Sequence, residues 1–252
     1  MARKSFHAMK QTQQIGDPEL ISISNLHGYK GKYIFIRQKK VAELIDELIS
    51  ELDLRSALNV GCGLGIMEQC IKKPIPLLGI DINQHAISVA KQLTAKSKNN
   101  YHYAVRSIEW LIGRKKRRKF DLIILSEVIE HTKEEKKLLF KLRNLLTKKG
   151  VLVLSVPNKW QPRNIFRKIF FMPLKTMDIT HLREYSKRDI KRLIKDSGFK
   201  ILKKRSSVFY FPQERIIKKI IKEDSRIRSS LLKIFPGLAS HFIYALQKDE
   251  KE

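Results

Sequence analysis

The sequence is short of acidic residues, cysteines and long apolar runs, and each shortage narrows what the chain can be. Twenty-five Asp and Glu stand against 52 Lys and Arg, a formal net charge of +27 over 252 residues. Such an excess favours an anionic partner: nucleic acid, an anionic membrane or an acidic substrate. The alternative is a Lys-rich proteome. The two cysteines, Cys62 and Cys70, lack further Cys or His at ligand spacing. They make neither a disulfide framework nor a zinc site, and no metal is expected. No run of about 18 apolar residues occurs, so nothing reads as a membrane-spanning helix. The N-terminal residues lack the apolar stretch of a signal peptide. The expected location is the cytoplasm, with peripheral contact at the inner membrane surface as an extension of that reading. A hydrophobic content of 42% excludes general disorder, and a chain of this length buries a good core as one domain.

The centre of the chain is Ala57-Leu58-Asn59-Val60-Gly61-Cys62-Gly63-Leu64-Gly65. An apolar strand end, three glycines at alternate positions and a helical pattern from Ile66 make a strand, turn and helix start. That is how an α/β protein brings backbone close to a nucleotide-like ligand. The spacing is G-x-G-x-G. A dinucleotide fingerprint requires G-x-G-x-x-G, and Ile66 stands where its third glycine belongs. A second strand, Leu77–Asp81, ends in a carboxylate twenty positions after Gly61. There it can accept both hydroxyls of a ribose.

Along the chain, residues 1–32 read as an N-terminal arm, polar and mixed until a Gly28–Tyr33 lead-in, and 34–52 as an amphipathic helix with Val41, Leu44, Ile45, Leu48, Ile49 and Leu52 on one face. This helix would bring Tyr33 and Arg37 near the glycine turn; surface positions at a helix start are the alternative. Strands are expected at 56–60, 77–81, 101–105, 120–125, 151–156 and 200–208. Helices are expected at 64–72, 84–96, 133–147 (stopped by Lys149-Gly150) and 187–197. Ser186 and Asp189 form a capping pattern for the last helix. His241–Leu246 supplies a final strand. The alternation predicts an α/β fold: a doubly wound, seven-stranded, mostly parallel sheet with helical cap insertions. The divisions are a core at 33–158, a lid or substrate insertion at 159–186, a helix and strand at 187–208, a second cap at 209–238 and a last strand and tail at 239–252.

The glycine motif, Asp81, the stretch Phe120 to His131 and the stretch Lys149 to Asn158 together resemble a class I S-adenosylmethionine-dependent methyltransferase. The branch they resemble includes the ubiquinone-biosynthesis O-methyltransferases. The resemblance runs from about residue 33 to 208, more weakly to 248, and implies a Rossmann-like methyltransferase fold with S-adenosylmethionine as cofactor. It implies that Gly61, Gly63 and Gly65 approach the cofactor, with Cys62 among them, and that Asp81 and Ile82 lie at its ribose. It places Ser107 and Ile108 by the adenine and Ser126 and Glu127 by the methionine end, and Arg37 joins this set. Asn59 stands where the family often has Asp, and Arg106-Ser107 where many members have Asp.

A sulfonium methyl is already activated, so the enzyme's task is to hold a nucleophile in line with it. An oxygen nucleophile also calls for a base. His131, following the fourth strand, is the candidate; the alternative is a structural hydrogen bond. His181, Arg183 and Tyr185 alternate in sequence and would share one face of an extended segment, as substrate contacts or as braces of a lid. Two segments, 159–177 and 213–234, pair Ile or Phe with Lys and Arg. Each reads as a basic amphipathic helix on an anionic membrane or as a lid with apolar residues inward. The run Arg114–Lys119 precedes the fourth strand, at the end of the sheet away from ligands. The expected acceptor is a small or lipid-linked hydroxyl compound. The alternatives are RNA and, for a non-enzyme, cofactor binding without turnover.

Overall fold

The computed structural model describes residues 29–113, 118–174, 176, 180–209, 211, 220–221 and 225–249. The expected N-terminal arm (up to residue 28), most of the basic run at 114–119 and most of the 213–224 stretch lie outside them. Seven strands form one sheet: β1 (Ala57–Val60), β2 (Leu77–Asp81), β3 (Tyr101–Val105), β4 (Phe120–Ser126), β5 (Leu146–Pro157), β6 (Phe199–Ser206) and β7 (His241–Lys248). Their order is β3-β2-β1-β4-β5-β7-β6. The first five are parallel, and β7 enters antiparallel between β5 and β6. The helices are α1 (Tyr29–Leu52), α2 (Ile66–Cys70), α3 (Gln84–Thr94), α4 (Ile108–Ile112), α5 (Glu135–Arg143), α6 (Pro162–Ile169), α7 (Lys187–Asp196) and α8 (Arg226–Ile234).

Both faces of the sheet are covered. Val41, Leu44, Ile45 and Leu48 of α1 pack with Leu122, Ile124 and Val153 on one face. Leu138, Leu139 and Leu142 of α5 and Ile190 and Ile194 of α7 pack with Ile123, Leu125 and Leu152 on the other. The strand residues of both layers are fully buried, which is why β4 reads as an unbroken apolar run. The capping box of α7 is present: Ser186 Oγ accepts from the Asp189 N–H, and Asp189 accepts from the Ser186 N–H.

Three boundaries depart from the sequence reading. Helix α1 begins at Tyr29 and takes in Gly31, so the glycine lead-in is helical. Helix α5 stops at Arg143, and Leu146 pairs with Phe120 as the first residue of β5. Gly150 is therefore a strand residue beside a register shift and not a helix stop. A side chain there would meet the Phe120 carbonyl oxygen at 3.0 Å. Residues 181–186 do not form a strand; their one ladder contact is the bridge of Tyr185 to Asn158.

Candidate functional site

The carboxyl ends of β1, β2 and β4 open on a cavity of about 480 Å³. Gly61, Asp81, Ile82, Ser107, Ile108, Glu127 and His131 all line it. Loops that follow four different strands thus meet at one place, as parallel sheets require. The glycine turn makes the approach possible. Gly61 has φ +70°, and an added Cβ would stand 2.5 Å from Val128 Cγ2. Gly63 has φ +53° and nothing within 4 Å of an added Cβ, so its backbone faces open space. Asp81 fixes the turn: one carboxylate oxygen accepts from the Gly63 N–H at 2.9 Å, the other from the Asn83 N–H at 2.9 Å. Each oxygen keeps a lone pair for a ligand hydroxyl.

Other residues expected at the site lie elsewhere. Cys62 gives its N–H to the Ile80 carbonyl, and its side chain packs with Ile87, Ala90 and Tyr103. Burial pushes its thiol well above the usual range. Gly65 is small for helix packing, since an added Cβ would meet Ala90 at 3.0 Å. The Ser126 hydroxyl is buried and has no hydrogen-bond partner among the described residues. The shared face of His181, Arg183 and Tyr185 does not form. Arg183 pairs with Glu135, and Tyr185 turns into the core at 4% exposure. His181 alone comes to the site. Arg37 reaches it indirectly, 3.4 Å from Glu127. The side chain of Tyr33 lies outside the described residues.

Beside the cavity lies a group of titratable side chains. Glu127 has φ +58°, a costly conformation for a non-glycine residue that marks functional turns. Its carboxylate accepts from Ser155 Oγ at 2.9 Å and stands 3.0 Å from His241 Nε2. Burial alone would raise the Glu127 carboxyl, but Arg37 and His241 outweigh it and hold it well below the ordinary range. His241 is lowered by its own burial. Its Nδ1 has Ser240 Oγ at 2.9 Å, and its Nε2, facing a carboxylate that can only accept, donates to Glu127. Glu130 is the opposite case. It is fully buried, and neither oxygen has a hydrogen-bond partner among the described residues. Burial first, and then the Glu127 charge, push it up to about 9.

His131 Nδ1 lies 3.2 Å from the Thr180 carbonyl oxygen. That bond fixes the tautomer with the proton on Nδ1 and leaves Nε2 as an acceptor. The His181 ring meets it edge-on at 5.0 Å between centroids. One donor atom from each of Glu130, His131 and His181 falls within 4.8 Å of the others. Nitrogen and carboxylate donors at that separation suit a divalent cation. The sequence reading named neither Glu130 nor His241 as a site residue. The spacing Glu127-x-x-Glu130-His131 directly after a strand was a usable signal for Glu130; His241, 114 positions from its partner Glu127, carries none.

The profile of a methyltransferase domain matches residues 33–204, more than half of the chain. The ubiquinone biosynthesis O-methyltransferase of Pelagibacter ubique is 28% identical over 137 residues, which are 50% of this chain and 56% of that one. That of Nitrosomonas europaea is 28% identical over 116 residues, 46% and 49% of the two chains. The chain thus spans about half the length of these curated relatives. Among solved structures, magnesium protoporphyrin IX methyltransferase from Synechocystis with bound S-adenosylhomocysteine superimposes with a TM-score of 0.58. It is 17% identical, with 88% of each chain covered. The small RNA methyltransferase HEN1 gives a TM-score of 0.59 at 18% identity, over 85% of this chain and 25% of that one. At such identities the structures show the fold alone. Together with the glycine turn, Asp81 and the cavity they line, the profile match shows that this chain belongs to the methyltransferase-domain family.

Proposed function

We propose that the protein transfers the sulfonium methyl of S-adenosylmethionine to a hydroxyl of a small or lipid-linked acceptor, with His131 as the base that takes the hydroxyl proton. The observation that carries this reading is the position of His131. It lines the same cavity as Gly61 and Asp81, and its Nδ1 is occupied by the Thr180 carbonyl, which leaves Nε2 to accept a proton. Bond making is between acceptor oxygen and methyl carbon; bond breaking is between that carbon and sulfur. The chain holds the two reactants in line and excludes water. The names of the O-methyltransferase relatives support an oxygen acceptor. Gly61, Gly63, Asp81, Ile82, Ser107, Ile108 and Glu127 are proposed to hold the cofactor, and His181 to border the acceptor.

A second reading of the same group rests on Glu130. A fully buried carboxyl whose oxygens have no hydrogen-bond partner among the described residues, gathered with His131 and His181, is a donor set for a divalent cation. The three side chains would hold the ion, which would supply Lewis-acid polarisation of the acceptor oxygen.

The test is transfer of labelled methyl from S-adenosylmethionine to a panel of phenols with and without an apolar tail, with RNA as the competing acceptor. Label in phenols supports the proposal, and label in RNA replaces it. Tight S-adenosylhomocysteine binding with no label in any acceptor supports binding without turnover.

A further inference from the structure

Residues 159–174 leave the carboxyl end of β5, the edge of the sheet on which the cofactor cavity opens. The sequence leaves two orientations for this segment, apolar residues inward as a lid or outward. The structure turns them outward. The root is polar and buried: Asn158 donates to the carbonyls of Gly237 and Ala239 at 2.9 and 2.7 Å, and Asn164 donates to the Lys159 carbonyl at 2.9 Å. Gln161, Pro162 and Asn164 face the protein. Phe166, Ile169, Phe170, Met172 and Leu174 face solvent, and Phe171 is 99% exposed. A surface helix ordinarily does the reverse, and soluble proteins seldom leave so continuous an apolar stripe uncovered.

The stripe is also pre-shaped. The Phe166 and Phe170 rings lie against each other, 4.4 Å between centroids and tilted by 40°. Phe171 takes φ +51° and ends the helix. The Met172 N–H then donates to the Arg167 carbonyl at 2.7 Å, and Arg167 Nε to the Pro173 carbonyl at 2.6 Å. The return strap is therefore tied along the helix. Cations surround it: Lys159, Arg163, Arg167 and Lys168, with no Asp or Glu from Asn158 to Met177. The Trp160 indole has the ammonium groups of Lys168 at 4.9 Å and Lys159 at 5.6 Å from its ring centroid. An aromatic body beside charged tips suits a bilayer interface.

We infer that this face docks on an anionic lipid bilayer, with Phe166, Ile169, Phe170 and Phe171 entering the headgroup–acyl boundary and the four cations meeting lipid phosphates. Charge complementarity selects the occupant. A second copy would bring four cations against four. A single-stranded nucleic acid uses flat rings for stacking, whereas Ile169, Met172 and Leu174 are aliphatic. No helix among the described residues is long and apolar enough to cross a membrane, so the contact is peripheral. The inference names a partner for the site proposed above and relies on that reading only for where the acceptor lies. Docking is measured without an acceptor, so the two fail separately.

The experiment is co-sedimentation of the full chain with vesicles of phosphatidylglycerol and phosphatidylcholine, against phosphatidylcholine alone. It is repeated with the variant Phe166→Ser, Phe170→Ser, Phe171→Ser. The expected result is binding to anionic vesicles that added salt weakens, reduced roughly tenfold or more in the variant, while S-adenosylhomocysteine affinity is unchanged. All three side chains are exposed, so that unchanged affinity also shows an intact fold. No binding of the parent to anionic vesicles overturns the inference, as does equal binding by parent and variant. Tight RNA binding without vesicle binding, or a dimer that the variant abolishes, also overturns it.

Discussion

Asn59 Nδ2 donates a 2.7 Å hydrogen bond to Glu68 Oε1, and both side chains are almost wholly buried beneath the glycine turn. The family resemblance leads one to expect a carboxylate at position 59. Here the amide stands there, and the carboxyl comes from α2, nine residues on. Burial pushes Glu68 up to about 7, against a pull downward from Asn59. Its second oxygen has no hydrogen-bond partner among the described residues.

That arrangement gives stability a pH dependence of known sign. The folded form holds the Glu68 proton more tightly than the unfolded chain, where the group titrates near 4.5. The folded state is therefore favoured below that value, loses stability as pH rises from 4.5 to about 7, and levels off above. The loss is on the order of 3 kcal/mol for a shift of this size. Glu68→Gln removes it while keeping the acceptor for Asn59. Glu130, shifted in the same direction, is present in parent and variant alike and cancels. Urea melts from pH 5 to 8 should show the parent losing a few kcal/mol relative to the variant; parallel profiles would retire Glu68 as the source.

Asp81 both anchors the Gly63 N–H and faces the cavity. Asp81→Ala should weaken S-adenosylhomocysteine by roughly 1.5–3 kcal/mol, about ten- to a hundredfold or slightly more. NAD should bind little to the parent, because the turn lacks the third dinucleotide glycine. Calorimetry that finds NAD preferred, or no effect of the substitution, would remove Asp81 from the site.

Gly61→Ala tests the turn itself. The new methyl group would overlap Val128 Cγ2 at a positive φ. Cofactor affinity should fall, with a stability loss of roughly 1–3 kcal/mol. Val128→Ala in the same chain relieves the overlap but not the backbone angle. Partial recovery of the melting temperature is expected, and full recovery would show that the angle costs nothing.

Much of this was legible in the residues. Strands β2 and β3 carry the expected bounds because short apolar runs between turn residues leave one reading. The end of α5 was not legible, since Leu142, Leu145 and Leu146 satisfy a helical face as well as a strand start. Only the pairing of Leu146 with Phe120 decides it. Periodicity showed that Phe166 and Phe170 share a face of α6 but not which way that face points, which the polar root at Asn158 and Asn164 sets. Of the cavity-lining residues, Asp81 was legible because it ends a strand and His131 because it follows one. The Glu127–His241 contact joins residues on β4 and β7 ends and depends on β7 entering the sheet beside β5.

The role of His131 separates by chemistry. If it is the base, His131→Ala lowers turnover by roughly a hundredfold or more, added imidazole restores part of it, and EDTA has no effect. If Glu130, His131 and His181 hold a cation, EDTA abolishes turnover and a divalent metal restores it. Glu130→Gln and His181→Ala then cost as much as His131→Ala, and imidazole rescues nothing. Glu130 sharpens the contrast: a carboxyl raised to about 9 is neutral at pH 7 with no ion beside it, whereas a bound cation would return it to the anion. S-adenosylhomocysteine affinity, measured in each variant, should stay within a few-fold of the parent in both cases, because none of the three side chains anchors the glycine turn. Turnover within a few-fold of the parent for all three variants would leave the group a structural tie between β4 and the segment that carries Thr180.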